Sequence, residues 1–328
     1  SGFDAFVALH DCLGLSLKKK KEMPPAEAGI LLGVHADIGR IPFRASLCPL
    51  RRLKLRCSLV KTLQADSLRH GAAATLAGQL GFAGTAIFGS IGRAQLRCVY
   101  RQSYFRMGNR RGGRSVALAS SPVSPLSTGL RAALEFFLAL LSRPPARVVA
   151  DPSVSRHHVS LYTDGAGDGC IGAVLLFPHA PALALASRVP ARVLAMLQGR
   201  KNQIALIELL AVLAAVDSFA EFLRGRDVLL WIDNVVAEVA VRNGYLRQDC
   251  WDGCALASAL WLAIWRLSAN VWTMRVPSLL NISDGPSRPN EPSKLTPLLV
   301  YPRGVRWMQC TGTSAWALRA LEESLRVR

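Results

Sequence analysis

The 328-residue chain predicts an α/β fold, a mixed sheet with helices on its faces, preceded by a mostly helical basic region. Short alternating apolar segments in the second half (residues 151–328) are typical of strands, and a long apolar run between them is typical of a buried helix. In the first half (residues 1–150), leucines at helical spacing stand among arginines and lysines, as in basic amphipathic helices.

The first half predicts a strand, then helices and a linker. Residues 29–34 are apolar and follow the lysines at 18–21 and a Pro-Pro break, which predicts one strand after a basic turn. Residues 50–105 predict the basic helices. Gly, Ser and Pro are concentrated at 106–127, where we expect a linker, and a short apolar helix is expected at 132–141.

The second half predicts a mixed five-stranded sheet with flanking helices. Its first two strands form a hairpin around the glycine-rich turn at 165–169. The most apolar helix is predicted between the third and fourth strands. The predicted strands are 159–163, 171–177, 183–189, 228–232 and 270–276, and the predicted helices are 203–223, 234–241 and 255–267.

The chain carries a large positive charge that is concentrated in its first half. Lys and Arg number 40 against 22 Asp and Glu, which gives a net charge of +18. The first half holds 22 basic and 7 acidic side chains, whereas the second half holds 18 and 15. Such an excess indicates a polyanionic partner, either nucleic acid or an acidic membrane surface.

The sequence also bears on where in the cell the chain is expected to be. Glu208 and Asp217 interrupt the most hydrophobic stretch, so we expect no membrane span of ~18 uncharged apolar residues. The eight cysteines lack the spacing of a disulfide framework or a zinc ribbon, so we expect an intracellular location, in the cytoplasm or nucleus. Since the sequence starts without Met or a signal-peptide layout, we expect a piece of a longer protein.

Four acidic residues stand against apolar sequence at the end or face of a predicted element. They are Asp164 and Asp233 at strand ends, Glu208 within the apolar helix, and Asp284 after the last strand-and-turn segment. Isolated buried carboxylates are costly, so such residues are usually paired, exposed or bound to metal. The alternative is four unrelated acids at strand and helix ends, where Asp is a common cap.

The predicted strand order lets these four carboxylates converge at one edge of the sheet. Carboxylates at one point repel each other unless divalent cations neutralise them, and an all-oxygen ligand set suits Mg²⁺ or Mn²⁺. Two such ions ~4 Å apart can activate a water and stabilise the leaving oxygen of a phosphodiester. The acids therefore predict a two-metal-ion site for phosphodiester hydrolysis.

Four sequence blocks around these acids resemble a retroelement ribonuclease H domain, in the family's order. The blocks are Val159–Ala166, Ile207–Leu213, Leu230–Asn234 and Asn281–Arg288, and the last is similar to the Asn-x-x-Asp-x-x-Ser-Arg ending in LTR and DIRS-like retrotransposon polyproteins. The resemblance implies a ribonuclease H-like fold and places Asp164, Glu208, Asp233 and Asp284 as metal-binding carboxylates. It further implies an endonuclease that cuts the RNA strand of an RNA/DNA hybrid.

The upstream region resembles, more weakly, the part of such polyproteins that follows the polymerase active site. Leu13-Gly-Leu, the lysine run and Leu31–Val34 are similar to the end of a reverse transcriptase palm. The family's paired aspartates are absent, so the chain is not expected to polymerise. The implied division is 1–45, palm remnant; 46–105, basic thumb or connection-like helices; 106–155, linker and short helix; 156–290, ribonuclease H-like domain; and 291–328, carboxyl-terminal tail.

Two other functions stay open at this point. Family members often carry a His between the third and fourth carboxylates that helps product release, and residues 234–283 contain none. The first alternative is therefore a catalytically inactive nucleic-acid-binding remnant of a retroelement polyprotein. The second is a ribonuclease H-like nuclease that cuts DNA, such as an integrase or resolvase.

Several side chains are candidates for contact with the nucleic acid. Basic residues along helices form a stripe that suits phosphates, and polar residues near the acids could contact sugar 2′-hydroxyls. The tryptophans at 251, 261, 265 and 272 could stack on bases or fill the core. The predicted phosphate contacts are Arg51, Arg52, Lys54, Arg56, Arg93 and Arg97, and the predicted sugar contacts are Gln203 and Asn234.

Overall fold

The residues that the structure describes form two sheets, and each packs against its own helices. The computed structural model describes residues 26–39, 43–103, 125–142, 146–149, 157–197, 202–246, 250–288 and 306–309, together with 4–5, 8–9, 12–13 and 199. The lysine run at 18–21 and most of the predicted linker, residues 106–124, lie outside the described residues.

The first sheet is antiparallel, and its four described strands lie side by side in chain order. The prediction of a single strand at 29–34 is wrong, because the chain reverses there. Leu32 and Gly33 both take positive φ, 52° and 83°, as a two-residue type I′ hairpin requires. The strands are β1 (Ala28–Leu31), β2 (Val34–Asp37), β3 (Phe43–Leu47) and β4 (Arg147–Val149).

Four α-helices pack beside this sheet. Pro49 opens the first of them, at a position where its missing N–H costs no helical hydrogen bond. Leu59 and Leu134 are fully buried between the helices, while the charged side chains of the first helix lie at its surface or edge. The helices are α1 (Pro49–Gln64), α2 (His70–Ala83), α3 (Arg93–Ser103) and α4 (Thr128–Ser142), and a π-helical turn (Gly84–Phe88) extends α2.

The continuous helical run His70–Phe88 is 19 residues long and, by length and composition only, could cross a membrane. Within the fold, 39% of its most apolar window is buried. Leu76, Leu80 and Phe88 point into the same core as α1 and α4. A single run of this kind is weak evidence for a span, since core helices pass the same test.

The second sheet confirms the predicted ribonuclease H-like class. An antiparallel hairpin and a third antiparallel strand are followed by two strands parallel to the first. The first strand, His158–Gly165, is central, with the second and third strands on one side of it and the fourth and fifth on the other. A sixth strand at the β7 edge was not predicted, because it lies in a segment without alternating apolar residues. The strands are β5 (His158–Gly165), β6 (Cys170–Leu176), β7 (Leu183–Arg188), β8 (Asp227–Ile232), β9 (Asn270–Arg275) and β10 (Arg306–Gln309).

The central helix of the second half is covered on every side. All residues from Leu206 to Val216 are buried, because the helix lies between the sheet and the long helix that precedes β9. The predicted helix at 203–223 breaks at Phe219 into two pieces. The helices are α5 (Ala191–Leu194), α6 (Ile204–Ser218), α7 (Ala220–Leu223), α8 (Val235–Asn243), α9 (Trp251–Arg266) and α10 (Asp284–Ser287), with a 3₁₀ turn at Ser278–Leu280.

Helix α3 joins the two halves. The Gln95 side chain exchanges hydrogen bonds of 3.0 and 3.1 Å with the Ser258 hydroxyl of α9. The Arg97 guanidinium lies 4.6 Å from the centre of the Tyr245 ring. Trp261 contacts the hydrophobic cores of both halves, so the halves share a packed boundary. The domain boundaries proposed from the sequence stay a prediction.

Candidate metal centre

Three of the four predicted acids meet at one edge of the second sheet. Asp164 lies near the end of β5, and Asp233 directly follows β8. Because β5 and β8 are parallel neighbours, with Thr163 beside Ile232, their carboxyl ends lie together. Carboxylate oxygens of Asp164, Glu208 and Asp233 all lie within 4.8 Å of one another.

A glycine lets Glu208 reach this edge. Helix α6 crosses the end of β5 so closely that a Cβ on Gly165 would lie 2.8 Å from the backbone nitrogen of Glu208. Real Cβ atoms essentially never approach that closely, so only glycine fits there without a shift. This close approach places the carboxylate of Glu208, on the helix, beside those of Asp164 and Asp233 at the strand ends.

Asp284 is held beside this cluster by the turn that precedes it. The buried Asn281 side chain donates to the Thr163 carbonyl at 3.2 Å and accepts from the Ser283 hydroxyl at 2.6 Å. Gly172 of β6 permits the contact, since a Cβ there would lie 2.6 Å from the Ser283 carbonyl oxygen. The last sequence block is thereby tied to the end of β5.

Ser287 in α10 and Arg288 directly after it contact the carboxylates. The Ser287 hydroxyl donates a hydrogen bond to Asp164. The Arg288 guanidinium lies 3.7 Å from an Asp164 carboxylate oxygen and 3.5 Å from one of Asp284. Its side chain is 41% exposed, so this cation sits at the mouth of the cluster.

Burial and the charges of neighbouring carboxylates favour the protonated forms of three of these acids, Asp164, Glu208 and Asp284. Burial, followed by the charges of Asp164 and Asp233, raises the pKa of Glu208 to about 9. Burial and then the Asp164 charge raise the pKa of Asp284 to about 6. Burial also raises the pKa of Asp164, against the opposing effect of the Ser287 hydrogen bond. For Asp164, Glu208 and Asp284 alike, burial is the largest cause of the raised pKa, and the negative charges of neighbouring carboxylates add to it.

The unpaired oxygens fit a divalent cation. Glu208 Oε2, Asp233 Oδ1 and Asp284 Oδ1 are buried and have no hydrogen-bond partner among the described residues. A buried polar atom without a partner costs free energy, and an ion that binds it removes that cost. Carboxylate oxygens alone make up this donor set, as hard cations such as Mg²⁺ and Mn²⁺ prefer. Asp164, Glu208 and Asp233 could therefore hold a metal ion, with Asp284 at the side.

The predicted phosphate contacts are spread over two helices, and several already have partners within the chain. Arg51 donates to the Leu32 carbonyl at 2.6 Å and lies over the Phe82 ring at 4.2 Å. Arg93 donates to the Asn243 carbonyl at 3.4 Å. On α1, Lys54 is exposed, whereas Arg52 and Arg56 are half-buried. Contact of these side chains with nucleic acid stays a prediction.

The two predicted sugar contacts stand at helix starts. Asn234 caps α8, where its side-chain oxygen accepts from the Val236 and Ala237 backbone N–H groups at 2.9 and 3.1 Å. This structural role uses the acceptor oxygen and leaves the amide hydrogens beside Asp233. Gln203 is half-buried at the N-cap position of α6. Their role with a substrate also stays a prediction.

Sequence reasoning did not assign the residues that position the acids. They are Gly165, Gly172, Asn281, Ser287 and Arg288. Asn281, Ser287 and Arg288 belong to the Asn-x-x-Asp-x-x-Ser-Arg block, so the signal was present in its spacing. The glycines gave no signal, because their role depends on how closely separate elements approach.

The chain has a limited likeness to known proteins. No protein-family model and no curated protein matches the chain. Among solved structures, the chain is similar to RNase H1 from the halophilic archaeon Halobacterium salinarum NRC-1, with a TM-score of 0.28 and 16% sequence identity over 39% of this chain and 91% of that one. The fold class rests on the strand order described above, not on this likeness.

Proposed function

We propose that this chain is a metal-dependent ribonuclease H-type endonuclease that hydrolyses the RNA strand of RNA/DNA hybrids. The observation that carries the proposal is the convergence of Asp164, Glu208 and Asp233 within 4.8 Å at the carboxyl ends of β5 and β8. Buried, partly unpaired carboxylates at such a point are typical of catalytic metal sites.

Each acid has a defined part in this proposal. Asp164, Glu208, Asp233 and Asp284 would hold two Mg²⁺ or Mn²⁺ ions. When bound, such ions activate a water and stabilise the leaving oxygen of a phosphodiester. Ser287 orients the Asp164 carboxylate by its hydrogen bond. Arg288 supplies a positive charge at the rim, where the phosphate backbone enters.

The substrate class and the origin of the chain are the finer parts of the proposal. The first half carries a net charge of +15, which suits the phosphates of a hybrid held across both halves. The order of the four sequence blocks supports an origin in an LTR or DIRS-like retroelement polyprotein. In that setting this chain contributes the ribonuclease H step and not polymerisation.

The test compares cleavage of a hybrid by the parent chain and by isosteric variants. Asp164→Asn and Glu208→Gln should abolish Mg²⁺-dependent cleavage and leave hybrid binding largely intact. Glu221→Gln, at an exposed acid on α7, is the matched control and should cut like the parent. Equal cleavage by the parent and Asp164→Asn would contradict the proposal. Preference for duplex DNA would instead favour the integrase- or resolvase-like alternative.

The inactive remnant has two observations in its favour. Arg288 contacts both Asp164 and Asp284, so a cation of the chain itself already neutralises part of the cluster. Residues 234–283 also contain no His. A calorimetric titration with Mg²⁺ distinguishes the active nuclease from the inactive remnant. Tight hybrid binding without a saturable Mg²⁺ site would favour the remnant, and Arg288→Ala would then create such a site.

A further inference from the structure

We propose that the cleft between the two halves is a binding site for single-stranded nucleic acid, separate from the acidic cluster. The cleft has a volume of about 640 Å³. One wall is formed by β4 and the turn after α2, and the other by the end of α9 and the start of β9. In the described part of the chain, β4 and β9 are the outer strands of their sheets, so the cleft runs between two sheet edges.

Two tryptophans present broad exposed surfaces in this cleft. Trp265 is 38% exposed and Trp272 is 50% exposed, although side chains of this size are usually covered. Trp261 differs, because its indole N–H donates to the Val241 carbonyl at 2.9 Å and its ring belongs to the packed boundary. The sequence left base stacking and core packing open for all three tryptophans. In the structure, Trp261 packs against the core, whereas Trp265 and Trp272 keep exposed ring surface.

The charge of the cleft favours an anion. Arg93 and Arg147 line it, and none of the described lining residues is acidic. Arg93 is fixed in place, since it donates to the carbonyls of Gly89 and Asn243 at 3.2 and 3.4 Å. The Arg147 side chain is exposed, so it can change its conformation to contact a phosphate. Aromatic faces beside arginines are the combination with which proteins hold single strands.

The shape favours single strands over a duplex. Bases in a duplex are already stacked on each other, so their faces are not available to Trp265 or Trp272. The cleft volume of about 640 Å³ is that of a site for a few ring systems. A peptide strand that pairs with β9 is the competing occupant, but it would use backbone groups and would not need exposed rings between arginines.

The experiment measures binding to the full chain in EDTA, where no metal-dependent cleavage occurs. The probes are dT and rU oligonucleotides of ~12 nucleotides, which is within the usual site sizes, and tryptophan fluorescence reports stacking. We expect quenching by both probes and about tenfold weaker binding by Trp272→Ala. Trp272→Phe, which keeps an aromatic face, should retain most of the affinity. Met274→Ala is the matched control, because Met274 is a 42% exposed side chain on the same strand outside the cleft.

A second variant tests the phosphate contact. Arg147→Gln should reduce the slope of log affinity against log salt by about 0.7, the value for one phosphate on a single strand. Arg224→Gln, which removes an exposed charge outside the cleft, should not change the slope beyond a general charge effect.

Three results would overturn the proposal. These are unchanged binding by Trp272→Ala, equal loss with Met274→Ala, and displacement of the oligonucleotide by a neutral β-strand peptide but not by a second oligonucleotide. Cleavage of a blunt hybrid by Trp272→Ala is measured alongside and should equal the parent rate. Failure of single-strand binding is thereby distinguishable from failure of the nuclease proposal.

Discussion

Glu208→Gln should make the metal-free protein more stable at neutral pH. The pKa of Glu208 is raised from its ordinary value of 4.5 to about 9, chiefly by burial. A group with a raised pKa contributes its full stabilisation below the unfolded pKa and loses it as the pH rises towards the folded one. Glutamine has nearly the same shape and no proton to lose.

The magnitude follows from the proton that Glu208 retains in the fold. Each pH unit between the unfolded pKa and the working pH costs ~1.4 kcal/mol, so the parent loses about 3 kcal/mol between pH 4.5 and pH 7. The variant does not carry this loss. We therefore expect the free energies of unfolding to be similar near pH 4.5 and to differ by about 3 kcal/mol in favour of the variant at pH 7.

Urea unfolding with EDTA, followed by tryptophan fluorescence across this pH range, measures the difference. Glu221→Gln is the exposed control and should keep the pH profile of the parent. Mg²⁺ at one thousand times its Kd should then reverse the order, since the bound ion stabilises the folded parent by ~4.1 kcal/mol. Identical pH profiles for the two Gln variants would refute the reasoning from burial. Equal Mg²⁺ stabilisation of parent and Glu208→Gln would refute the role of this residue as a ligand.

Two further predictions concern the turn that carries Asp284. Gly172→Ala should cost ~1–3 kcal/mol of stability and most of the cleavage rate, because its Cβ would lie 2.6 Å from the Ser283 carbonyl oxygen. Gly167→Ala, with nothing within 4 Å, is its control, and equal thermal unfolding of the two would contradict the close approach. Apparent Mg²⁺ affinity should fall as the pH is lowered from 8, because Glu208, with a pKa of about 9, must lose its proton to bind the ion, and it should fall more steeply below about 6, where Asp284 also becomes protonated. Calorimetry across pH 5 to 8 measures this, and Asp284→Asn should lose the steeper fall below about pH 6 while keeping the dependence that Glu208 causes.

The sequence was sufficient for five of the six strands described in the second sheet, and for a physical reason. Alternation over 159–163 and the apolar segments at 171–177 and 228–232 reflect one or two buried faces, which local sequence records directly. The juxtaposition of Asp164 and Asp233 then followed from strand adjacency. Glu208 was recognisable because it interrupts a helix whose other residues are all apolar at that point.

Other features depend on distances that only the tertiary structure sets. The Leu32–Gly33 hairpin was missed because a leucine takes a positive φ that its sequence context does not indicate. The exposure of Trp272 depends on its place on an edge strand, and alternation alone gave core packing as the simpler interpretation. The contacts of Arg288 arise because α10 returns to β5.

The packed boundary around Trp261 limits how this protein can be divided. Excising the second half at residue 156 would leave Trp261 and Leu262 without the apolar partners that α3 and its neighbours provide. Ser258 would also lose the Gln95 amide. The isolated second half would thus expose an apolar surface at this boundary. A different upstream region joined to it would have to supply apolar side chains that cover the same surface.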